Sequence, residues 1–412
     1  MARVKPFKAF LPPKEIADKI AAPPYDVISS QEARDYAKGN EYSFLHISKP
    51  EIDLEKGHPL YDDAVYKKGA DNLKEFVKKG YLKQDDKPSF YIYRQIMGSH
   101  AQDGFVCLSS VKEYEEGKIK IHEYTRKDKE DDRTRHVIEQ KANAEPVFLT
   151  YRALKEIDDL VNEEKKKEPL YDIKTDDGII HQLWAVKDEK KVKEFCNLFE
   201  KIPALYVADG HHRTAAAVRM GQHFRKIKGG GDPEAEYEFF MAVLFPHNQL
   251  QIMDYNRVVK DLNNLTEEQF IKKVSEKFEV KEASSLKPEK QHSFGMYLNK
   301  KIYILEAKKG IFDEKDPIDS LDVSILQKNV LAPILGIEDP RTDKRIDFIG
   351  GIRGMGELIK RVDEGWAVAF ALYPTTLEQL LNVADAQKVM PPKSTWFEPK
   401  LRSGLFVRIL ED

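Results

Sequence analysis

The chain has 412 residues, 33% of them charged and 41% hydrophobic, with 67 Lys+Arg against 70 Asp+Glu for a formal net charge of -3. This is the composition of a folded globular protein, and no overall positive excess draws it to nucleic acid or an acidic membrane. Cys107 and Cys196 stand far apart and in no C-x-x-C pair, so neither a disulfide framework nor a structural zinc site is expected.

The length suggests two or three parts, divided as 1–114, 115–228 and 229–412. At the N-terminus, lysines and Pro12–Pro13 interrupt any apolar run, and no stretch of about 18 apolar residues occurs. A cytoplasmic protein without a membrane partner is expected. In the first part, "APPYDVI" reads as a loop leading into a strand. A capping-box start at Ser29 with Glu32 and a glycine stop at Gly39 mark a helix. The run "YDDAVYKKGADNLKEFVKKG" has helical spacing, and "SFYIYRQIM" with "GFVCLSSVKEY", joined by the polar "GSHAQD", predicts a hairpin or paired strands.

In the middle part, "KIKIHEY" predicts a strand and "KEDDRTRHVIEQKA" a helix with acidic residues in its first turn. The stretch "LTYRALKEIDDLVNEEKKKEP" reads as a helix. "GIIHQLWAVKD", "KKVKEFCNLFEKI" and "ALYVADG" then read as strand, helix and strand, before a helix over "HHRTAAAVRMGQHFRKIK". This alternation predicts an α+β, or mixed α/β, fold. Gly229–Gly231 form the candidate hinge. Beyond it, "YEFFMAVLF" and "LQIMDYNRVV" predict paired strands, followed by the β-rich runs "SFGMYLN" and "KIYILEA". Helices around "SLDVSILQKNVLAPIL", "MGELIKRVDEG" and "TTLEQLLNVADAQ" complete the chain, with "WAVAFALY" as a buried strand. In "IDFIGGIRGMGELI" the glycines at 350, 351, 354 and 356 miss the G-x-G-x-x-G spacing, which leaves a turn and a helix start.

Three stretches carry candidate chemistry. In "LYVADGHHRTAAAVRM" a strand feeds a helix through Asp209, Gly210, His211, His212 and Arg213. A helix N-terminus has unpaired amides and partial positive charge, Gly210 lets a ligand approach, and Arg213 offers a donor fork for phosphate. Asp209 either caps the helix or holds a magnesium ion or substrate cation. Adjacent histidines diverge on a helix, so His211 and His212 are expected to meet phosphate or substrate rather than to pair on a metal. A capped helix with histidines on a polar face is the structural alternative. In "IHEYTRKDKEDDR", Glu123 stands where a general base could, with Arg126 and Arg133 behind it, or the segment is a surface salt-bridge mesh. In "VMPPKSTWFEPKLRSG", Lys393, Ser394, Thr395 and Lys400 form a functional loop or a Pro-rich structural turn; prolines replace the glycines that a P-loop needs. Asp26 is either a turn carboxylate or part of a pocket floor.

With its motifs "APPYDVIS", "HEYTRKDKEDDR", "ADGHHRTAA", "LDVSILQ" and "MPPKSTWFEPKLRSGL" in order, the chain resembles a full-length member of domain-of-unknown-function family 1015. Its "DGHHR" element is similar to the phosphate-binding element of the ParB and sulfiredoxin superfamily, and more closely to that of the free serine kinases sharing that fold. The resemblance implies a ParB/sulfiredoxin-like central unit embedded in a two- to three-part chain. It further implies a kinase that phosphorylates free L-serine to O-phosphoserine. ATP, ADP or pyrophosphate would be the donor, with Mg2+ as cofactor. In that reading Glu123 is the base, Asp209 orients substrate or magnesium, and His211 is catalytic. Gly210, His212, Arg213, Arg126, Arg133, Asp26, Lys393, Ser394, Thr395 and Lys400 bind phosphate or substrate. Where the family has Thr-His-Arg, this chain has Tyr255, Asn256 and Arg257. Sulfiredoxin's catalytic cysteine is replaced by His211, and no helix-turn-helix follows the motif, so no nucleic-acid partner is expected. A homodimer stays open. The alternative function is a non-catalytic regulator that binds a nucleotide or phosphometabolite.

Overall fold

The computed structural model describes residues 2–411. The chain forms two compact units, the first built from residues up to Leu250 together with those from Pro399 onward, the second spanning Gln251–Glu398. The first is organised on a nine-stranded mixed sheet. Its order is Ile119–Lys120, Leu205–Asp209, Val147–Tyr151, Phe239–Pro246, His100–Ser110, Phe90–Met97, Ile180–Val186 and Tyr171–Lys174, with Val4–Lys5 also paired to His100–Ser110. Two pairings are parallel, Leu205–Asp209 with Ile119–Lys120 and Phe239–Pro246 with Val147–Tyr151; the rest are antiparallel.

The sequence patterns explain most of these elements. Phe239–Pro246 is buried along its whole length, as a central strand covered on both faces must be. The hairpin forms as expected, with Met97 opposite His100 and Gly98, at positive φ, taking the first turn position. Ser29 and Glu32 form the capping box of the Ser30–Ala37 helix. Phe105 packs against Phe90, Phe195 and Phe199 at ring-centroid distances of 4.6, 4.7 and 4.8 Å, joining the sheet to the Glu189–Phe199 helix.

Other expectations differ from the structure. The division at 114 and 228 is not the one the chain follows, because strands from all three sequence segments enter the same sheet. Gly229–Gly231, each at positive φ, link the His211–Ile227 helix to the Phe239–Pro246 strand inside the first unit, not between units. The expected pairing of "YEFFMAVLF" with "LQIMDYNRVV" does not occur. Phe239–Pro246 stays in the first sheet, while Gln251–Met253 pairs with Trp396–Glu398 and Tyr255–Val259 joins the second sheet. The polar link resembled a hairpin turn, yet His247–Gln249 is a single helical turn that carries the chain out of the sheet. The helix expected from Leu149 begins at Lys155, since Val147–Tyr151, rich in β-forming residues, is claimed by the sheet.

The second unit has a six-stranded antiparallel sheet in the order Phe278–Glu282, Lys301–Ala307, Ser293–Leu298, Val368–Leu372, Tyr255–Val259 and Ile346–Gly350. Thr266 with Gln269 and Thr376 with Gln379 form capping boxes on its helices Glu267–Lys277 and Leu377–Asp385. Asn256 is buried there, its side-chain oxygen accepting from the Leu372 amide at 3.0 Å. Among the described residues no helix is long and apolar enough to cross a membrane.

His181 lies within the first sheet, its ring nitrogens 2.7 Å from the Tyr93 hydroxyl and 3.1 Å from the Thr175 hydroxyl. Burial, aided by Arg402 and opposed by Asp177, pushes its pKa down from 6.5 to about 3. Between these two values the unfolded chain binds the proton and the fold does not, so acidification through that window destabilises the fold. Unfolding free energies from urea titrations are expected to fall less between pH 7 and pH 5 for His181→Gln than for the parent, by up to about 1.4 kcal/mol per pH unit.

Candidate functional site

The site begins where two parallel strands end. Leu205 pairs with Ile119 and Tyr206 with Lys120, after which the first strand runs on to Asp209 and the second bends at His122–Glu123. The "DGHHR" element and the "HEYTR" element therefore emerge side by side from one sheet edge. Gly210 turns the chain into the His211–Ile227 helix at φ 80 and ψ 42, a left-handed conformation that glycine adopts without penalty. The first bond inside the helix runs from the Thr214 amide to the Gly210 carbonyl, so the preceding amides point out of the helix end.

Glu123 and His211 are adjacent. Ligand atoms of His122, Glu123 and His211 all lie within 4.8 Å of one another. His122, 1% exposed, and His211, 7% exposed, meet edge to face with centroids 4.5 Å apart, and the His122 amide approaches His211 Nε2 at 3.5 Å. Burial pushes His122 down to about 4, against weaker opposing pulls from the Val207 carbonyl and Asp209. Burial and His122 together hold His211 well below the ordinary histidine value. Both rings are neutral at pH 7 and act as dipolar donors and acceptors rather than as cations. His212 accepts a hydrogen bond from the Arg126 amide at 3.0 Å, tying the two elements together.

Charge is concentrated below this edge. Burial alone would raise the Asp209 carboxyl. Lys400, donating to its Oδ2 at 2.9 Å, and Arg213 outweigh burial and hold the group well below the usual carboxylate range. Arg213, 7% exposed, donates to the Pro146 carbonyl at 3.0 Å and has Asp26 Oδ2 at 3.7 Å; among the described residues its buried Nε has no hydrogen-bond partner. Arg133 lies 4.1 Å from the Tyr25 ring centroid and donates to Asp132 at 2.9 Å and to the Ser48 carbonyl at 3.2 Å. Glu145 accepts from the Tyr25 amide at 3.2 Å and from the Ser403 hydroxyl at 3.0 Å. Burial raises its pKa, while Arg213 and Arg133 act the other way. A cavity of about 30 Å³ lies among Arg133, His136, Glu145 and Arg213, enough for one or two water molecules.

The structure thus brings Glu123, Asp209, Gly210, His211, His212, Arg213, Asp26 and Lys400 into one region, with Arg133 behind them. Arg126 contributes its amide, whereas its exposed guanidinium pairs with Asp128 at 2.9 Å. Lys393, Ser394 and Thr395 belong to the second unit. There the Lys393 carbonyl accepts from Arg257 at 2.9 Å, and Ser394 donates to the Pro391 carbonyl at 2.6 Å. Asp209, expected as a metal ligand, has an ammonium group on its outer oxygen instead. The potential metal-ligand group among the described residues is His122, Glu123 and His211. Sequence reasoning missed His122 and Glu145. The only local signal for His122 was its place beside Glu123.

A methyl group on Gly210 would lie 2.8 to 3.0 Å from the Arg213 guanidinium, while one on Gly39, at a similar φ of 76, would touch nothing within 4 Å. Gly39→Ala is expected to cost the backbone penalty alone, about 1–2 kcal/mol. Gly210→Ala should cost more. Equal urea midpoints for the two variants would show that Arg213 does not crowd Gly210.

Solved structures similar to this chain include a free serine kinase in complex with AMP, at 14% identity and TM-score 0.35, covering 71% of this chain and 86% of that one. A mutant of a free serine kinase in complex with ADP aligns at 13% identity and TM-score 0.36, covering 71% and 87%. SbnI with C-terminal truncation, from Staphylococcus aureus, aligns at 10% identity and TM-score 0.39, covering 74% and 87%. No curated protein matches the sequence. Residues 4–324 match the model of the family described as "Protein of unknown function (DUF1015)", and because that span is well over half of the 412 residues, the chain belongs to this family.

Proposed function

We propose that the protein is a small-molecule kinase that transfers a phosphoryl group to the hydroxyl of free L-serine, with ATP, ADP or pyrophosphate as donor. The observation that carries this reading is the adjacency of the Glu123 carboxylate to His211 at the start of the His211–Ile227 helix. Phosphoryl transfer asks a protein chiefly for positioning and charge neutralisation, and this edge offers a base beside an anion cradle. The serine oxygen forms a bond to phosphorus as the donor's bridging P–O bond breaks, and the hydroxyl proton passes to Glu123. The helix amides, the neutral His211 ring and Arg213 hold the transferring group. Gly210 keeps the approach clear, and Asp209, ionised through Lys400, faces the substrate ammonium. Magnesium would accompany the donor's phosphates.

Purified protein incubated with serine and each donor in turn is expected to form O-phosphoserine with at least one of them. Glu123→Gln should lower kcat by about 10²- to 10⁴-fold with little change in donor affinity. Full activity in Glu123→Gln would remove Glu123 as base while leaving kinase activity intact. Saturable nucleotide binding without product in the parent protein would favour the regulatory alternative. Arg213→Ala should weaken phosphate binding by roughly tenfold or more, as expected on losing a charge-assisted hydrogen bond.

A further inference from the structure

The convergence of His122, Glu123 and His211 is more than a base beside a phosphate cradle needs. Consecutive residues in a strand point to opposite faces, so His122 and Glu123 would diverge if the strand continued. It ends at Lys120 and the chain bends at 122–123, which turns both side chains toward His211. The His122 ring hydrogen-bonds the Val207 backbone carbonyl, which orients the imidazole as second-shell carbonyls do for metal-bound histidines. Both imidazoles are buried and Glu123 is half-buried, and the negative charge of Asp209 acts on both rings.

We infer that His122, Glu123 and His211 form a binding site for one divalent transition-metal ion of the zinc type. Two imidazoles and one carboxylate suit zinc, iron or manganese better than magnesium, which prefers an all-oxygen shell. Ligands about 2.0–2.2 Å from a tetrahedral metal are roughly 3.4 Å apart, so separations within 4.8 Å close by side-chain rotation without backbone movement. Three protein ligands leave a position for water or a substrate oxygen, the pattern of a reactive rather than a structural site. The ion would lie at the start of the His211–Ile227 helix, and its positive charge would supplement the amides there. The site does not require serine as acceptor; with the ion bound Glu123 is a ligand, so its role as base in the proposed transfer belongs to the metal-free chain.

The test uses the full chain, stripped with chelator, dialysed against Zn2+ and analysed by elemental mass spectrometry, with titration calorimetry for affinity. About one equivalent per chain is expected. Glu123→Gln, His122→Ala and His211→Ala should each weaken binding by at least about tenfold, whereas His223→Ala, on an exposed position of the same helix, should not. Co2+ loaded in place of zinc should give the visible absorption of a four- or five-coordinate site in the parent and lose it in Glu123→Gln. That conservative variant keeps the test decisive if a histidine variant fails to fold. Zinc far below one equivalent, or retained equally by Glu123→Gln and the parent, would overturn the proposal. Loss of the metal site would leave serine phosphorylation standing, and stoichiometric zinc without O-phosphoserine would leave the metal site standing.

Discussion

The parallel pairing of Leu205–Asp209 with Ile119–Lys120 is the constraint on which the candidate site depends. Only two residue pairs define its register, Leu205 with Ile119 and Tyr206 with Lys120. Strands running in the same direction end at the same edge, so the residues that follow them meet there. A shift of one residue in that register would carry the bend at His122 and Glu123 away from His211 and dissolve the cluster. The pairing is reinforced beyond the strands. The Leu205 amide donates to the Lys118 carbonyl, the Arg126 amide to His212, and Arg219 on the His211–Ile227 helix reaches Glu130 and Asp131 on the Lys127–Gln140 helix at 3.1 and 2.6 Å.

Below that edge, burial of charge dictates how the residues are arranged. An isolated buried guanidinium or carboxylate costs several kcal/mol. Asp209 is therefore answered by Lys400 and Arg213, and Arg213 by Asp26 and Glu145. The histidines meet the same constraint differently. His122 and His211 lose their protons instead of gaining counter-charges, so the positive character of this region comes from amides, Arg213 and Lys400. An anion arriving there would meet fixed dipoles and ionised groups whose orientation is already held by neighbouring hydrogen bonds.

Much of the fold was legible because its causes are local. A capping box closes over three residues, so Ser29 and Glu32 announce their helix; two β-rich runs joined by a short polar link announce the Phe90–Met97 and His100–Ser110 pair. Where pairing is long-range, local patterns misled. Phe239–Pro246 resembled one arm of a hairpin with the strand after it, yet it lies between His100–Ser110 and Val147–Tyr151. The apolar run looks the same whichever partner it takes.

The same distinction governs the site. The sequence by itself determined that Asp209 to Arg213 would form a strand-to-helix turn with a glycine and outward-facing amides, because backbone geometry and side-chain size settle that within five residues. Only the tertiary structure decided that Lys400 would reach Asp209 across 191 positions, that Glu145 would lie near Arg213, and that His122 and Glu123 would close on His211. The meeting at His211 follows from the register of two sheet strands far apart in the chain. Hydrogen bonds between backbones set that register, and backbones are alike at every residue, so no spacing of side chains along the sequence records it.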